Sequence, residues 1–349
     1  MAEKRRTFLQ HLHPPRIRRR TLNPSTTLGL GIACLTCLGV LLVTGVTLFL
    51  YYVPDPDRAY ERILHITTTL HYGGLVRNLH FMAANALVVI VGLHLVRVFR
   101  TAAYKGRGLN WLFGLILLAL VLFSNFTGYL LPWDQVSYWA IKVGASLAGY
   151  LPLVGGELQR FLLGGSEVGP ETLLRLFAFH AGIMPLLLIS FTALHLWRIR
   201  KDGGLAAPPE TAETTLPAAP WLYRAEGTAA LSTFALLVIL ALVFAAPLYE
   251  RADPAHPPNP AKAPWYFVGF QELVSHSALV GGVVIPLLLG LFFLFVPKLD
   301  RSRSPGGVWL ARDRRWLWSL FFAILLGQIG LIVIGQWLRG PNWTLVWPF

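Results

Sequence analysis

The sequence predicts an all-α integral membrane protein with seven transmembrane helices, arranged as a four-helix unit followed by a three-helix unit. Hydrophobic residues make up 55% of the 349-residue chain and charged residues 13%, about half the charged fraction of a soluble domain. The apolar residues are gathered into runs of roughly 20, the length that crosses a hydrocarbon core of about 30 Å. A stretch rich in Pro, Ala and Thr divides these runs into two groups.

Four predicted helices precede this stretch and three follow it. They cover residues 27–53, 75–103, 111–131 and 172–199, and then 228–248, 271–296 and 316–338. We therefore predict a basic N-terminal segment at 1–26, a four-helix domain at 27–202, a flexible linker at 203–227 and a three-helix domain at 228–349. The long connections 131–171 and 249–270 are rich in Trp, Tyr and Pro, and connections of that length usually carry function.

The distribution of lysine and arginine predicts the orientation. With the N-terminus in the cytoplasm, 21 of the 30 basic residues fall in or beside cytoplasmic segments, as the positive-inside rule requires. This accounts for the net charge of +13 through contacts with lipid headgroups, without a nucleic-acid partner. The basic, proline-broken N-terminus shows no cleavable signal peptide. We expect a protein of the bacterial inner membrane, with both long connections on the outer face.

Four histidines lie deep inside apolar helices, where ionisable residues are costly and usually functional. They are His80 and His94 on the second helix and His180 and His195 on the fourth. The spacings of 14 and 15 residues correspond to about 21 and 22 Å along a helix axis. Because both helices run from outside to inside, His80 lies level with His180, and His94 lies level with His195.

Each level offers two imidazoles from facing helices, which suits an iron porphyrin with two histidine ligands. A single buried histidine is more often a hydrogen-bonded core residue, but that does not account for four histidines paired by depth. A zinc site would need further Cys, Asp or Glu ligands at the same level. We predict two b-type haems, an outer one on His80 and His180 and an inner one on His94 and His195.

Glycines repeat the same spacing on the two other helices of the first unit. They are Gly31 and Gly45 on the first helix and Gly114 and Gly128 on the third. Glycine permits close backbone approach, so flat macrocycles could lie at these depths; ordinary small-residue packing is the alternative. Arg77 and Arg97 each lie three residues from a histidine of the second helix, toward opposite membrane faces. They could pair with haem propionates, although Arg97 also suits a purely topogenic charge.

Five segments of the chain resemble the cytochrome b/b6 family of bc-type complexes. They are Arg77–His80 (RNLH), His94–Arg97 (HLVR), Gly128–Gln135 (GYLLPWDQ), His195–Gly203 (HLWRIRKDG) and Pro264–Phe267 (PWYF). The likeness runs from about residue 25 to 300. The 15-residue spacing and GYLLPWDQ resemble the photosynthetic branch, and the last three helices resemble its separate subunit IV, here fused.

The resemblance implies the catalytic subunit of a quinol–cytochrome c reductase that runs a Q-cycle. Quinol would be oxidised at the outer face, in a pocket with Tyr129, Pro264, Trp265 and Tyr266. One electron would pass to a Rieske-type iron–sulfur protein or c-type cytochrome, and the other through the two haems to quinone at the inner face. Arg200 is a candidate for that inner quinone site. Family analogy also implies a homodimeric complex.

The proton acceptor of the outer pocket departs from the family pattern. The family usually carries Pro-Glu-Trp-Tyr, whose glutamate accepts a quinol proton, and here Pro264 stands in the place of that glutamate. Glu272 and His276 lie four residues apart on one helix face and are the alternative acceptors; burial would raise the pKa of Glu272. The other interpretation is a helix-start residue at the membrane interface. The departure also suggests a low-potential quinol such as menaquinol.

A second departure concerns the covalently attached haem of the photosynthetic branch. Its cysteine position corresponds to Gly29, which has no side chain to form the bond. Cys34 and Cys37 lie deeper in the first helix, where cysteines commonly serve as small apolar residues. We predict no covalent haem.

Two alternative functions remain open at this point. The chain could be a dihaem quinone-binding subunit that serves multihaem cytochromes without a Rieske partner, which an unusual second long connection would allow. A transporter needs broken helices or polar residues at mid-membrane. The predicted helices are continuous, and their prominent deep ionisable groups are the four histidines, which disfavours transport.

Overall fold

The computed structural model describes residues 15–209 and 214–347. Its longer helices are α1 (Leu30–Phe49), α2 (Ala59–Thr68), α3 (Gly73–Arg100), α4 (Gly108–Tyr129), α5 (Gln135–Gly149), α6 (Gly155–Leu163), α7 (Pro170–Lys201), α8 (Trp221–Val243), α9 (Trp265–His276), α10 (Val280–Leu299) and α11 (Arg315–Trp337). Within the described ranges seven of them are long and apolar enough to cross a membrane: α1, α3, α4, α7, α8, α10 and α11. This confirms the predicted fold class.

The first unit consists of α1 packed along α3 and α4 packed along α7. A buried apolar layer lies halfway between the two predicted histidine levels. Leu87 of α3, Val121 of α4 and Leu188 of α7 belong to this layer, each seven or eight residues from the histidines or glycines of its own helix. Helix α8 of the second unit packs on α1 and α3 and adds Leu237 to the same layer. The two units therefore share a core.

The N-terminal end of α3, which is the outer end in the predicted orientation, holds the chain that follows α8. The Asn78 side chain donates to the Ala241 carbonyl (3.1 Å) and accepts from the Ala246 N–H (2.9 Å). Arg77 donates to the carbonyls of Ala246 and Pro247. A helix C-terminus leaves carbonyls without intrahelical partners; Asn78 satisfies that of Ala241, and Arg77 binds carbonyls of the segment beyond the helix. The connection from α8 to α9 is thereby fixed at the outer end of the first unit.

The long connection between α4 and α7 is largely helical. Helix α5 begins at a capping box, in which the Asp134 carboxylate accepts from the Ser137 N–H (2.9 Å) and the Ser137 hydroxyl accepts from the Asp134 N–H (2.7 Å). Such a cap satisfies two backbone donors at a helix start. Asp134 also accepts from the Tyr249 N–H (3.2 Å), so the two long outer connections meet at this residue.

The predicted continuous sixth helix, 271–296, is wrong. Helix α9 ends at His276, Ser277 has extended backbone angles (φ −162°, ψ 117°), and α10 starts afresh. The two helices cross closely at Gly281, where any side chain would collide with the backbone of Leu273. The break lies at the end of a spanning helix, not at its middle.

Two spanning helices contain a π-helical turn that the sequence did not predict. The turns cover Ala178–Ile183 in α7 and Val280–Val284 in α10. Each is followed within two residues by a proline, Pro185 or Pro286. Proline lacks the N–H that continues the α-helical ladder, so a wider turn before it is a local adjustment. The turn in α7 contains His180 and sets the direction of its side chain.

Part of the predicted linker pairs with the N-terminal segment. Strand β1 (Arg16–Arg18) pairs antiparallel with β2 (Thr215–Pro217), and the Arg16 Nε donates to the Thr215 hydroxyl (2.9 Å). This short backbone ladder connects the N-terminal segment to the linker. The first 14 residues of the predicted N-terminal segment and residues 210–213 of the linker lie outside the described residues.

Candidate functional site

The outer pair of histidines meets between α3 and α7. The ring centroids of His80 and His180 are 6.2 Å apart, with an interplanar angle of 71°. Two metal–nitrogen bonds of about 2 Å, with about 1.1 Å from each ring centroid to its nitrogen, add up to roughly this separation. The spacing suits two imidazoles that share one metal ion.

Hydrogen bonds fix the protonation of both outer rings. The Thr44 hydroxyl donates to the Val40 carbonyl (2.7 Å), so its oxygen accepts from the Nδ1–H of His80 (2.9 Å). The Nδ1–H of His180 donates to the Ser124 carbonyl (3.0 Å). A proton placed on Nδ1 leaves the Nε2 lone pair free in each neutral ring. That is the ring nitrogen available to a metal.

Three of the four predicted glycines lie against a histidine. A Cβ added at Gly128 would lie 2.5 Å from the Cε1 of His180, and one at Gly45 would lie 3.3 Å from the Cε1 of His80. At Gly114 the distance to the Cε1 of His195 would be 3.6 Å. A Cβ at Gly31 would meet nothing within 4 Å. The glycines on α1 and α4 make room beside the imidazoles, which suits a flat ring system edge-on in the bundle.

The inner pair lines a cavity between α3, α4 and α7. His94, His195 and Gly114 form part of its wall, together with Arg97 and Arg107. The Nδ1 of His94 is buried without a hydrogen-bond partner among the described residues, whereas His195 bonds to the backbone of Asn110. These residues fit a haem with two histidine ligands.

Arg77 and Arg97 each bind backbone carbonyls. The Arg97 Nε donates to the Thr26 carbonyl (2.7 Å), and its Nη2 donates to the Ala206 carbonyl (3.1 Å). Arg77 binds the chain after α8, as described above. Both guanidiniums thus hold connecting segments at opposite ends of α3, and contact with haem propionates stays a prediction.

Among the described residues, no group of three His, Cys, Asp or Glu side chains could hold a metal ion. Cys34 and Cys37 are free thiols in α1, and Cys37 is fully buried. The two-histidine levels therefore do not extend into a zinc-type cage, which normally has three or four protein ligands.

The aromatic residues predicted for the outer pocket come together beside the outer pair. The Phe267 ring lies 4.8 Å from Tyr266, 6.4 Å from Tyr129 and 6.0 Å from Phe126 of α4, between centroids. Tyr129 directly follows Gly128, which faces His180. The start of α9 is therefore packed against the outer end of α4, next to the outer histidine level.

The residues at the start of α9 are held from two sides. Pro264 occupies the N-cap position of α9, and the Trp265 indole N–H donates to the side-chain oxygen of Asn85 on α3 (2.9 Å). Lys262 donates to the Gln336 carbonyl at the end of α11 (2.8 Å). Sequence reasoning missed Asn85, although a polar amide in an apolar spanning helix signals a partner on a neighbouring element.

Glu272 is buried and paired with the C-terminal tail. The Arg339 Nε donates to both carboxylate oxygens (3.2 and 3.0 Å), and the Trp343 indole N–H donates to Oε2 (2.9 Å). The Arg339 guanidinium holds the pKa of Glu272 below its usual value. The expectation of a raised pKa is therefore wrong, because the sequence pattern did not show that an arginine 67 residues away would reach this carboxylate.

The predicted pair of Glu272 and His276 lies apart from the aromatic cluster. The His276 Nε2 is 3.4 Å from the Glu272 carboxylate, and its side chain is 69% exposed. Glu272 shares its helix face with Val268 and Gly269, which contact α11. Phe267 contacts α4 on another face. The structure brings Glu272 and His276 together with each other, and does not bring Glu272 into contact with Tyr129.

Comparison with known proteins decides the family. The family model described as Cytochrome b/b6/petB matches residues 20–203, more than half of the chain. The chain belongs to the cytochrome b/b6 family.

Relatives of this cytochrome b support the same assignment. It is 43% identical to cytochrome b6 of Heliobacterium mobile over 192 residues, covering 55% of this chain and 88% of that protein. It is 34% identical to the cytochrome bc complex cytochrome b subunit of Chlorobaculum thiosulfatiphilum over 274 residues, covering 75% of this chain and 64% of the relative. The second alignment extends beyond the four-helix unit.

A solved structure shares the fold of this cytochrome b. It is a hyperthermophilic respiratory complex III, matched with a TM-score of 0.77 and 27% identity over 88% of this chain and 83% of the other. The chain is thus a cytochrome b subunit of a bc-type complex, an integral membrane oxidoreductase subunit with a fused subunit IV-like C-terminal part. The family binds b-type haems.

Two basic residues on the side of His94 and His195 occupy different positions relative to the cavity. Arg107, which sequence reasoning missed, lines the inner cavity and donates to the Gly204 carbonyl. Arg107 immediately precedes α4 and lies seven residues before Gly114, about two helical turns, and that spacing was the available signal. Arg200 lies in the last turn of α7, while His195 and Ile199 are the residues of α7 that line the cavity.

Proposed function

We propose that this cytochrome b oxidises quinol at the outer membrane face and carries electrons across the membrane through two b-type haems. The outer haem is assigned to His80 and His180 and the inner haem to His94 and His195. The observation that supports this most strongly is the 6.2 Å separation of the outer imidazoles. When bound, the two haems accept and release single electrons and so link the two membrane faces.

The residues that surround the histidines differ between the outer and the inner level. At the outer level, Thr44 and the Ser124 carbonyl orient the imidazoles, and Gly45 and Gly128 leave room beside them. At the inner level, Arg97 and Arg107 line the cavity next to the histidines. Their guanidiniums would compensate the charge of haem propionates, since charge-assisted hydrogen bonds to carboxylates are strong.

The outer quinol pocket is proposed at the junction of α4 and α9. Tyr129, Tyr266 and Phe267 form an aromatic wall beside the outer histidine level, with Pro264 and Trp265 at the start of α9. Aromatic walls with a few polar tips bind flat apolar ligands and exclude water. The tyrosine hydroxyls would orient the quinol head group, and Arg200 remains the candidate for the inner quinone site.

Glu272 and His276 remain the two candidate acceptors of the protons that quinol releases. The hydrogen bonds from Arg339 and Trp343 stabilise the ionised carboxylate of Glu272, which makes it a weak base. His276 is exposed and contacts the buried carboxylate, so it would deliver a proton to the outer solvent. A change of turnover in Glu272→Gln distinguishes this role from a purely structural ion pair.

The proposed setting is a homodimeric complex in the bacterial inner membrane, with a cytoplasmic N-terminus and menaquinol as substrate. The domain boundaries given above, at residues 202 and 228, belong to the same proposal. A Rieske-type iron–sulfur protein or c-type cytochrome would take the other electron at the outer face. Pro264 in the place of the family glutamate favours one alternative, a dihaem subunit that works with multihaem cytochromes and no Rieske protein.

The test is purification of the intact complex from membranes, followed by a reduced-minus-oxidised spectrum and addition of menaquinol. We expect two b-type components per chain, both reduced by menaquinol. A spectrum without b-type haem would contradict the proposal. Co-purification of an iron–sulfur protein supports the Q-cycle assignment, and multihaem cytochromes without an iron–sulfur protein support the alternative.

A further inference from the structure

A row of residues at the start of α4 faces the inner cavity. Arg107, Asn110, Gly114 and Leu118 follow one another at spacings of three and four residues, which places them on one helix face, and all four line the cavity. Gly114 and Leu118 form the deeper, apolar part of this row. Arg107 and Asn110 form its polar part, at the inner end in the predicted orientation. Such a wall suits a flat apolar ligand with a polar edge.

The main chain of Asn110 lies beside an inner histidine. Its backbone forms a hydrogen bond with the ring of His195. One turn further along α4, a Cβ at Gly114 would lie 3.6 Å from the Cε1 of the same ring. The imidazole therefore lies against the α4 backbone over this turn. Because the Asn110 side chain starts at this contact, it lies next to a proposed ligand of the inner haem.

The Asn110 side chain has a polar atom without a partner. Its Oδ1 is buried and forms no hydrogen bond with the described residues. A buried polar group without a partner destabilises a fold, so this amide indicates a ligand that supplies the partner. A half-turn about the Cβ–Cγ bond exchanges Oδ1 and Nδ2. The amide can therefore offer its N–H donors to the same ligand.

The charge of the cavity wall favours an acidic group on that ligand. Arg97 and Arg107 line the cavity, and none of the described residues that line it is Asp or Glu. Both guanidiniums also donate to backbone carbonyls of connecting segments, which leaves fewer of their N–H groups for a ligand. A carboxylate accepts at both of its oxygens. An amide N–H beside the two arginines would complete its hydrogen bonds.

We propose that the Asn110 side chain donates a hydrogen bond to a propionate of the inner haem, beside Arg97 and Arg107. Asn110 then contributes to the inner level twice, through its backbone at His195 and through its amide at the propionate. A hydrogen bond to a carboxylate is charge-assisted and strong, and a neutral amide supplies it without adding charge to the cavity. The inference rests on the proposed ligation of the inner haem by His94 and His195.

The test is the rate at which the purified complex loses b-type haem to excess apomyoglobin under mildly denaturing conditions. The reduced-minus-oxidised spectrum follows both components, and the inner one is defined as the component that His94→Ala removes. Asn110→Leu keeps the side-chain size and removes both polar atoms. We expect it to lose the inner component about tenfold faster, the effect of one hydrogen bond to a charged group, and the outer component at the wild-type rate. Asn110→Asp places a like charge beside the propionate and should lose the inner component faster still.

Asn125→Leu is the matched control, because Asn125 is a buried amide of the same helix that donates to the Val121 carbonyl (2.9 Å). It lies 15 residues from Asn110, about 22 Å along the helix, and should leave the loss of the inner component unchanged. An inner component lost at the wild-type rate in Asn110→Leu, or both components lost faster to the same extent, overturns the proposal.

A second variant applies if Asn110→Leu is purified without inner haem. Asn110→Thr keeps one side-chain donor; recovery of the inner component in this variant supports the proposal, and its continued absence overturns it. A wild-type complex without two b-type components instead contradicts the proposed function.

Discussion

At the scale of single residues, the geometry of the outer histidine pair depends on a close contact between the backbone of α4 and the imidazole of His180. A Cβ at Gly128 would lie 2.5 Å from the Cε1 of His180, a distance that real Cβ atoms do not adopt. The ring is fixed by its hydrogen bond to the Ser124 carbonyl of the same helix α4. Neither partner can move without giving up that contact, so only glycine fits at this position.

Gly128→Ala should therefore weaken or abolish the outer b-type signal and leave the inner signal in place. The alanine methyl group would push His180 out of the orientation that lets its Nε2 meet His80. The measurement is a reduced-minus-oxidised spectrum of the purified variant. Gly39→Ala is the control, because a Cβ there would meet nothing within 4 Å, and it should keep both components. A Gly128→Ala protein with both components intact would contradict this account of the glycine.

Glu272 should contribute stability that depends on pH in a defined direction. Its pKa in the folded protein is lowered by Arg339, so the stabilisation is fully present above about pH 4.5, the ordinary value for this group. It is lost as the pH falls through the lower folded pKa. Thermal unfolding, followed by loss of haem absorbance, should show Glu272→Gln less stable by about 1–3 kcal/mol at neutral pH. The difference should shrink below pH 4.5; a difference independent of pH would argue against the ion pair.

Glu272 also has a predicted effect on turnover. We expect Glu272→Gln to slow quinol oxidation while both haem signals remain, because the carboxylate would contact His276 on the route to outer solvent. Steady-state quinol oxidation measures this. Arg339→Gln is the companion variant, which disrupts the same ion pair and keeps the carboxylate. Unchanged turnover in Glu272→Gln would leave Glu272 with a structural role alone.

At the scale of elements, α9 is fixed on three sides. Lys262 and Glu272 connect it to the end of α11 and the C-terminal tail, and Trp265 connects it to Asn85 of α3. Helix α3 carries His80 and His94. The Asn85 contact therefore connects the start of the proposed quinol pocket to the helix that carries one proposed ligand of each haem.

We expect Asn85→Leu and Trp265→Phe each to raise the KM for quinol, without loss of either haem. Both variants remove the same hydrogen bond and let the start of α9 shift against α3. The double variant should be no worse than either single one, because residues that share one interaction are not additive. Quinol titrations of the three proteins test this. Fully additive effects would mean that the two residues act separately.

The element scale also shows what the sequence could and could not predict. Hydropathy and spacing predicted the spanning helices and the depth of the four histidines, because both depend on local periodicity. The break at Ser277 and the π-helical turn at His180 depend on how helices cross, as at Gly281. The pairing of Glu272 with Arg339 depends on where the tail returns. None of these leaves a periodic signal in the chain.

At the scale of the whole molecule, the four-helix unit holds two histidine levels separated by a buried apolar layer. The three-helix unit adds α8 to that layer and brings α9 to the outer end of α4. This arrangement places the proposed quinol pocket beside one level and the basic inner cavity around the other. In the proposed function, the fused C-terminal part contributes residues to the quinol pocket as well as to the packing.

The central claim is the pairing of the histidines by depth, and single His→Ala variants test it most directly. Each variant should lose one b-type component in a reduced-minus-oxidised spectrum of the purified complex. The account predicts that His80→Ala and His180→Ala lose the same component, and that His94→Ala and His195→Ala lose the other. Loss of the same component in His80→Ala and His94→Ala, with the other retained in both, would contradict it.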